Sequence, residues 1–416
     1  MLIQPSNNPS GNDAPAIQTA LNSLTSKGGE VVLGNGKWYI KSPITIPMHS
    51  IRLRGETCGL SPYDYGSGGN WGCQLIGIAG MDMITVNNFG YVEISDMSIW
   101  LPTGATVAAT AIKLDQCFLP KIRNVRTTNY STGIKLTRNT DVEISSSYIS
   151  GVNNTVATNG IDIDSESDVQ NQTVFVDKVI TAFQNCTSSI GFNLHGKRIA
   201  DVKMIACEAN FSQIGFMING ASGITEGFGG DIHLIGCVAD GCVNYGFQVN
   251  GLGAKAQVHL DGGWSANAST NVYVSNSSKN VNVRGMQIYG GTNGIYYQNG
   301  SSGNATDNML CYQTGNGIVV DASNGVGVYH NRGIQKDANN AHFIHGLNGS
   351  IACSASGNQI DHASVVGGFA TGIYTEVGSD YWNVIGNNLA IPTGAAGTPY
   401  ALNLGNNVHT VQVGAL

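Results

Sequence analysis

The sequence predicts an all-β chain wound as a right-handed parallel β-helix, a solenoid closed at its start by a short capping helix. Three observations carry this. A motif of Gly, then Ile or Phe, any residue and an aliphatic or Tyr starts at 133, 160, 191, 215, 246, 294 and 317. The intervals are 27, 31, 24, 31, 48 and 23 residues, and "NVYV" at 271 is a degenerate copy inside the longest. A second strand recurs between the copies, as "DVEISSS" from 141, "VFVDKV" from 174, "DVKMIAC" from 201, "DIHLIGC" from 231, "QVHLDGG" from 257 and "NVNVRGM" from 280. Finally, 56 glycines with only 11% charged residues suit regular short turns rather than helices. A unit of two or three short strands with one apolar face must stack on its neighbours to bury that face. A sandwich would need hairpin turns, and a propeller longer blades of roughly 40 residues.

In chain order, residues 1–30 read as a cap, 31–390 as the β-helix and 391–416 as a last coil or cap. Only "NDAPAIQTALNSLTSKGG" looks helical: Asn12 or Asp13 can cap it, Ile17, Leu21 and Leu24 recur at helical spacing, and Gly28-Gly29 ends it. Two β-rich runs around a Gly-Asn-Gly turn follow, "EVVLGNGKWYIKSPITIP", and then "SIRLRGE". This opening resembles the pectate-lyase-like proteins common among bacteriophage tailspikes, in which such an "AIQxAL" helix caps the first coil and a Gly-Gly stretch ending in "PIxIP" forms the first turns. The resemblance covers roughly the first 55 residues and implies the fold. It also implies a homotrimer and a life as a virion tail component or a released extracellular protein. The sequence departs from the tailspike pattern in showing no N-terminal particle-binding domain and no obvious separate C-terminal domain.

The net charge of −7 and pI near 5.7 argue against nucleic acid or an anionic membrane as partner. No apolar run approaches the roughly 20 residues of a membrane span, and "MLIQPSNNPSGND" lacks the basic and apolar regions of a secretory signal, so synthesis in a bacterial cytoplasm is expected. The nine cysteines form no CxxC pair and read as small buried hydrophobes. Sequons such as "NCT" at 185 and "NAS" at 267 follow from an Asn/Ser-rich composition. Aligning Val202 with Ile232 places Val179, Cys207, Cys237 and Gly263 in one inward column, so thiols there serve packing. Asn and Gly at coil corners fit turns that need positive φ or side-chain capping of the backbone.

Chemistry is expected on the outer surface. If Cys207 and Cys237 point inward, period-two alternation sends Glu208, Asn210, Val238 and Asp240 outward, and Trp264 and Ala266 in the next coil. Glu208 and Asp240 then sit one outward position apart on successive coils, at a diagonal spacing of roughly 7–8 Å. That spacing suits the carboxyl pair of an inverting glycosidase, which must leave room for a water. One acid of such a pair has to stay protonated near neutral pH, and Val238 and Trp264 are the nearby apolar walls. Tailspike glycosidases of this fold look similar in placing Glu and Asp on successive coils. Trp264 offers a platform for a sugar ring, extended by Tyr245 or Tyr289. His233 and His259 align in one column with Lys203 before them, giving donors one strand away.

Insertions after the "GIDI", "GFMI" and "GFQV" strands leave at one corner and would wall a groove, with Asp164, Glu166, Asp168, Glu226 and Asp231 in that wall or at its foot. Glu226 and Asp231 are further catalytic candidates. Outward acids also keep a solenoid soluble and discourage edge pairing, which is the plain alternative for each.

These residues predict an endo-acting polysaccharide depolymerase that hydrolyses a capsule, O-antigen or exopolysaccharide with a Glu/Asp pair and no cofactor. The first alternative is a polysaccharide lyase acting on uronic acids, with Lys203, Lys197, Arg198 or Arg284 as base. Ca²⁺ belongs only to that alternative, held by Asp164, Glu166 and Asp168. The second is a spike that binds glycan without cutting it, and glycosyl transfer by the same carboxylates is a third.

Overall fold

The computed structural model describes residues 1–58, 72–165, 171–196, 199–220, 230–253, 255–335, 342–362, 371–379, 381–389 and 400–404. Glu166, Asp168, Lys197, Arg198 and Glu226 lie outside the described residues, as does most of 391–416. The fold is an all-β parallel solenoid preceded by a short helix, and the chain divides into two compact units, Met1–Gln213 and Ile214–Leu416.

In the first unit the helix Ala14–Asn22 buries Ile17 and Leu21 completely. Asn12 and Asp13 share the cap, at the place the sequence gives it. Asn12 Oδ1 accepts the Ala14 N–H at 3.2 Å, whereas Asp13, at the N-cap position, turns its carboxylate to the Tyr39 N–H at 2.9 Å and so ties the helix to the strand Gly36–Tyr39. The helix also stops at Asn22, before Gly28-Gly29, because a separate turn closed by Gly28 N–H to Thr25 O at 2.9 Å takes up the intervening residues. Leu2–Ile3 pairs with Val32 and Leu33 as an additional strand.

The early coils carry a single long strand, Glu93–Trp100 or Lys121–Thr128, where later ones carry two, and the plan from there is three strands per coil, as in Thr132–Thr137, Thr140–Ser145 and Tyr148–Val152. Every strand lies parallel to its equivalent one coil on. Ile134 pairs with Ile161 and Ile161 with Phe192, so the repeated motif stacks like on like; Val142, Val174 and Val202 form the second buried row.

The second unit repeats the plan. Ile214–Gly220, Asp231–Ile235 and Val238–Asp240 make its first coil, and Tyr245–Asn250, Gln257–Asp261 and Trp264–Ala266 the next. The motif column runs Phe216, Phe247, Val272, Ile295, Ile318, Ile344, Ile373, with the Phe216 and Phe247 rings stacked at 4.8 Å. Burying each of these phenylalanines contributes about 2–3 kcal/mol. Val272 confirms "NVYV" as the degenerate copy: Asn271 replaces glycine and is itself buried, accepting from Ser265 Oγ at 2.9 Å and donating to Gly290 O at 2.9 Å.

After the second strand of each coil in this unit the chain turns through a left-handed residue, Gly236, Gly262 (with Gly263 after it also at positive φ), Gly285, Asp307, His330, Gly357 and Gly386 in turn. The residue after it points inward, and the pairings put Cys237, Gly263, Met286, Asn308, Asn331, Asn358 and Asn387 in one column. The buried cysteines and the corner asparagines are therefore variants of a single position. Val179 and Cys207 bear the same relation to each other in the first unit. Cys207 and Cys237 are at most 1% exposed.

Candidate functional site

The outward face of the third strands in the second unit carries a cleft. Register makes two outward columns there: Val238, Trp264, Gln287 and Met309 in one, Asp240, Ala266, Tyr289 and Cys311 in the other. From Asp240 to Cys311 these columns line an open depression of about 420 Å³, with Trp264 and Tyr289 as its rings, each 45% exposed. Ala266 occupies the outward register that alternation predicts, yet it is 1% exposed. Its methyl group is flanked by the larger Asp240 and Tyr289, and it forms the floor.

Among the described residues no hydrogen bond or ion pair engages the Asp240 carboxylate, the Trp264 indole N–H, the Gln287 amide or the Tyr289 hydroxyl. A carboxylate, two polar-tipped rings and an amide thus converge on one cleft with their hydrogen-bonding capacity unused. Tyr289 is held by an edge-on contact with Tyr312 at 5.3 Å. Gln287, Met309 and Cys311 were not singled out in the sequence, although continuing the Asp240 and Trp264 columns by two coils reaches all three. Burial raises the Cys311 thiol above its ordinary pKa, with nearby Arg332 opposing, which leaves it a wall rather than a nucleophile.

Glu208 lies in the first unit, opening the short strand Glu208–Asn210, half-buried, where Asn210 Nδ2 donates to its Oε1 at 2.8 Å. Lys203 stands exposed on Ile199–Ile205, paired in register with Phe175. Tyr245 is not among the residues of the cleft. It opens the strand Tyr245–Asn250, and its ring stacks on Tyr273 at 4.7 Å.

Asp231, His233 and His259 come together on the second strands. His233 pairs in register with His259, the rings stack at 4.6 Å, and Asp231 closes on both: His233 Nε2 lies 2.9 Å from its Oδ2, His259 Nε2 3.5 Å from its Oδ1. Gln257 Oε1 is 3.4 Å from His259 Nε2, and Asp261 Oδ2 is 4.0 Å from His233 Nδ1. Among the described residues this is the one group of three His, Cys, Asp or Glu whose donor atoms all lie within 4.8 Å of one another. The sequence aligned the two histidines and separately noted Asp231, but not that strand alternation puts Asp231 and His233 on the same face.

Asp164 stands at the foot of the expected wall, on the strand Thr158–Ser165 that leads into the insertion, and Lys135 Nζ lies 3.0 Å from its carboxylate. Lys135 also reaches Asp162, 4% exposed, which accepts from Asn193 Nδ2 at 2.9 Å and faces His195 Nε2 at 2.9 Å. Burial opposes the charge on Lys135, but Asp164 and Asp162 outweigh it and raise the pKa. This network of two carboxylates, one ammonium and an imidazole ties together neighbouring coils of the first unit, and Lys135 already pairs with Asp164. Of the three insertions, 166–170 and 221–229 lie outside the described residues, and the third joins the first strand Tyr245–Asn250 to the second strand Gln257–Asp261.

No protein-family model matches the chain, and no curated protein matches its sequence. Solved structures share its architecture. A thermostable GH87 α-1,3-glucanase catalytic unit from Streptomyces thermodiastaticus superposes with a TM-score of 0.51 at 11% identity, covering 95% of this chain and 68% of that one. Dettilon tailspike protein gives 0.47 at 12% identity over 88% and 69%. The Geobacillus virus E2 protein ORF18 gives 0.41 at 14% identity over 92% of this chain, which spans 61% of the length of the viral protein. At 11% identity the likeness to the glucanase is one of fold. Among the described residues no helix is long and apolar enough to cross a membrane.

Proposed function

We propose that this chain is a polysaccharide depolymerase that hydrolyses a bacterial surface glycan from within. The observation that supports it most is the cleft in which Asp240, without a partner among the described residues, stands beside the rings of Trp264 and Tyr289. Its volume is within the range of small-ligand sites, and its open form suits a polymer that enters sideways. An exposed indole can stack on the apolar face of a pyranose while Gln287 and the Tyr289 hydroxyl bond to sugar hydroxyls. Asp240 acts in this reading as one of the two carboxylates that glycoside hydrolysis requires. Glu208 is proposed as the other from its place in the sequence repeat. The GH87 glucanase is a glycanase of the same fold, which is consistent with the proposal. A homotrimer, and a place on a virion tail or outside the cell, belong to the same proposal.

The test is a viscosity and reducing-end assay on a panel of capsular, O-antigen and exopolysaccharides, with Glu208→Gln and Asp240→Asn run beside the wild type. Cutting of one polymer by the wild type, lost in both variants while binding persists, supports two-carboxylate hydrolysis. Normal cutting by the variants refutes it, and binding without cutting by the wild type favours the non-catalytic spike.

The lyase reading has one observation in its favour, the Asp231, His233 and His259 group, which could supply a base beside a uronic acid. Products absorbing in the ultraviolet as unsaturated uronides would select it.

A further inference from the structure

We propose that Asp231, His233 and His259 form a binding site for a divalent transition-metal ion of the Zn²⁺ class, held across two successive coils of the second unit. Three features of the cluster carry the inference. The first is donor type. Two imidazoles and one carboxylate match the nitrogen-rich sets that hold Zn²⁺ and its neighbours, and do not match the six to eight oxygens that Ca²⁺ takes. The second is convergence. Both Nε2 atoms already face the same carboxylate, one at each of its oxygens, and the three donors lie within 4.8 Å of one another. A tetrahedral ion with arms of about 2.1 Å wants donors about 3.4 Å apart. Side chains on this outer face can close the difference by turning about their χ angles, which also unstacks the two rings so that each points its nitrogen at the ion.

The third feature is the surroundings. Asp261 Oδ2 faces His233 Nδ1, the ring atom opposite the proposed ligand nitrogen. At 4.0 Å this carboxylate is beyond hydrogen-bond length, but the turn of the ring toward the ion can bring Nδ1–H onto it, the usual support of a metal-bound histidine. Gln257, in register with Asp231, brings an amide oxygen to the rim near His259. The set leaves coordination positions for water or a substrate oxygen, as open sites do.

The site stands on the second strands, around the Gly236 and Gly262 corners from the cleft that holds Asp240. It does not depend on the hydrolase reading, and the two can fail separately.

The experiment uses the full chain, purified without a polyhistidine tag and stripped with chelator. Titration calorimetry with ZnCl₂ is paired with the visible absorption of added Co²⁺. The expected result is one ion per chain and a Co²⁺ band typical of low coordination number. His233→Asn and His259→Asn should each weaken Zn²⁺ binding at least about tenfold. Asp231→Asn, which keeps the shape of the side chain, should weaken it too, and circular dichroism should be unchanged in all three. Excess Ca²⁺ should not displace the ion. Absence of binding, binding that survives both histidine substitutions, or displacement by Ca²⁺ overturns the proposal. None of these readouts involves a polysaccharide, so they stand whatever the depolymerase assay shows.

Discussion

Asn331→Ala should be among the most destabilising substitutions in the second unit, although its side chain touches neither the cleft nor the histidine pair. Asn331 is fully buried in the corner column. Among the described residues its side chain makes four hydrogen bonds. Oδ1 accepts the Asn308 backbone N–H at 3.1 Å and Asn308 Nδ2 at 2.9 Å; Nδ2 donates to Ala305 O at 2.9 Å and to Asn358 Oδ1 at 3.0 Å. A net contribution of about 1 kcal/mol per bond gives about 4 kcal/mol for the four, since truncation strands buried donors and acceptors rather than returning them to water. Cys237→Ala, in the same column, removes a buried thiol whose contact with Ile235 O is a weak one at 3.8 Å, and should cost about 1 kcal/mol. Asn304→Ala removes a single exposed bond to Asn282 and should stay within about 0.5 kcal/mol. Urea denaturation followed by circular dichroism gives the three values. If Asn331→Ala loses no more than Asn304→Ala, the asparagine column does not hold the coils together and the reasoning fails.

Four further outcomes are expected. Gly263→Val should cost about 2–4 kcal/mol or prevent folding, because Gly263 has φ of 96° and an added Cβ would lie 2.1 Å from Cys237 O; Gly262→Asn, with φ of 64° and nothing within 4 Å, should be tolerated within about 1 kcal/mol in thermal melts. Burial, with the charge of His345 beside it, pushes His342 down to about 4, while Tyr374 packs on its ring and Glu376 faces His345. The unfolded chain therefore takes up this proton first. Stability is fully present above about pH 6.5 and falls toward pH 4 by about 1–3 kcal/mol, a loss that His342→Gln should remove from the pH dependence of Tm. Cys117 and Cys353, both pushed up to about 11 by burial, should resist a thiol reagent at pH 8 until denaturant is added. In the depolymerase assay Asp240→Asn should lower kcat by about 10²–10⁴-fold, whereas Trp264→Ala should act mainly by raising KM.

The solenoid was legible because its cause is local and repeated. A Gly-Ile or Gly-Phe step every 23 to 31 residues fixes which side chains face inward, and Phe216, Phe247, Val272 and Ile295 obey it even where glycine gives way to Asn271. The helix end was misread for a related reason. Gly28-Gly29 is a strong stop signal, but Thr25–Gly28 forms its own turn first, and a stop signal cannot report a turn that precedes it. The division of the chain into two units left no mark at Gln213, since the repeat continues on both sides of that residue.

The site was legible only as far as register was carried. Asp240 and Trp264 were found by alternation outward from Cys237, and the same counting continued to Gln287, Tyr289, Met309 and Cys311 would have outlined the whole cleft. Tyr245 failed as an extension of the Trp264 platform because an aromatic residue was matched by type, not by strand: it stands on the first strand of its coil and Trp264 on the third. Asp164 shows the opposite limit. Its place at the foot of an insertion was legible, but its ion pair with Lys135, a residue in register with Asp162 one coil earlier, was not. In a solenoid the neighbours that decide what a charged residue does lie one coil away, some 22 to 31 residues along the chain. A residue on this surface acquires a role from its column before it acquires one from its flanking sequence, and for that reason Asp231 becomes informative only when His233 and His259 are placed beside it.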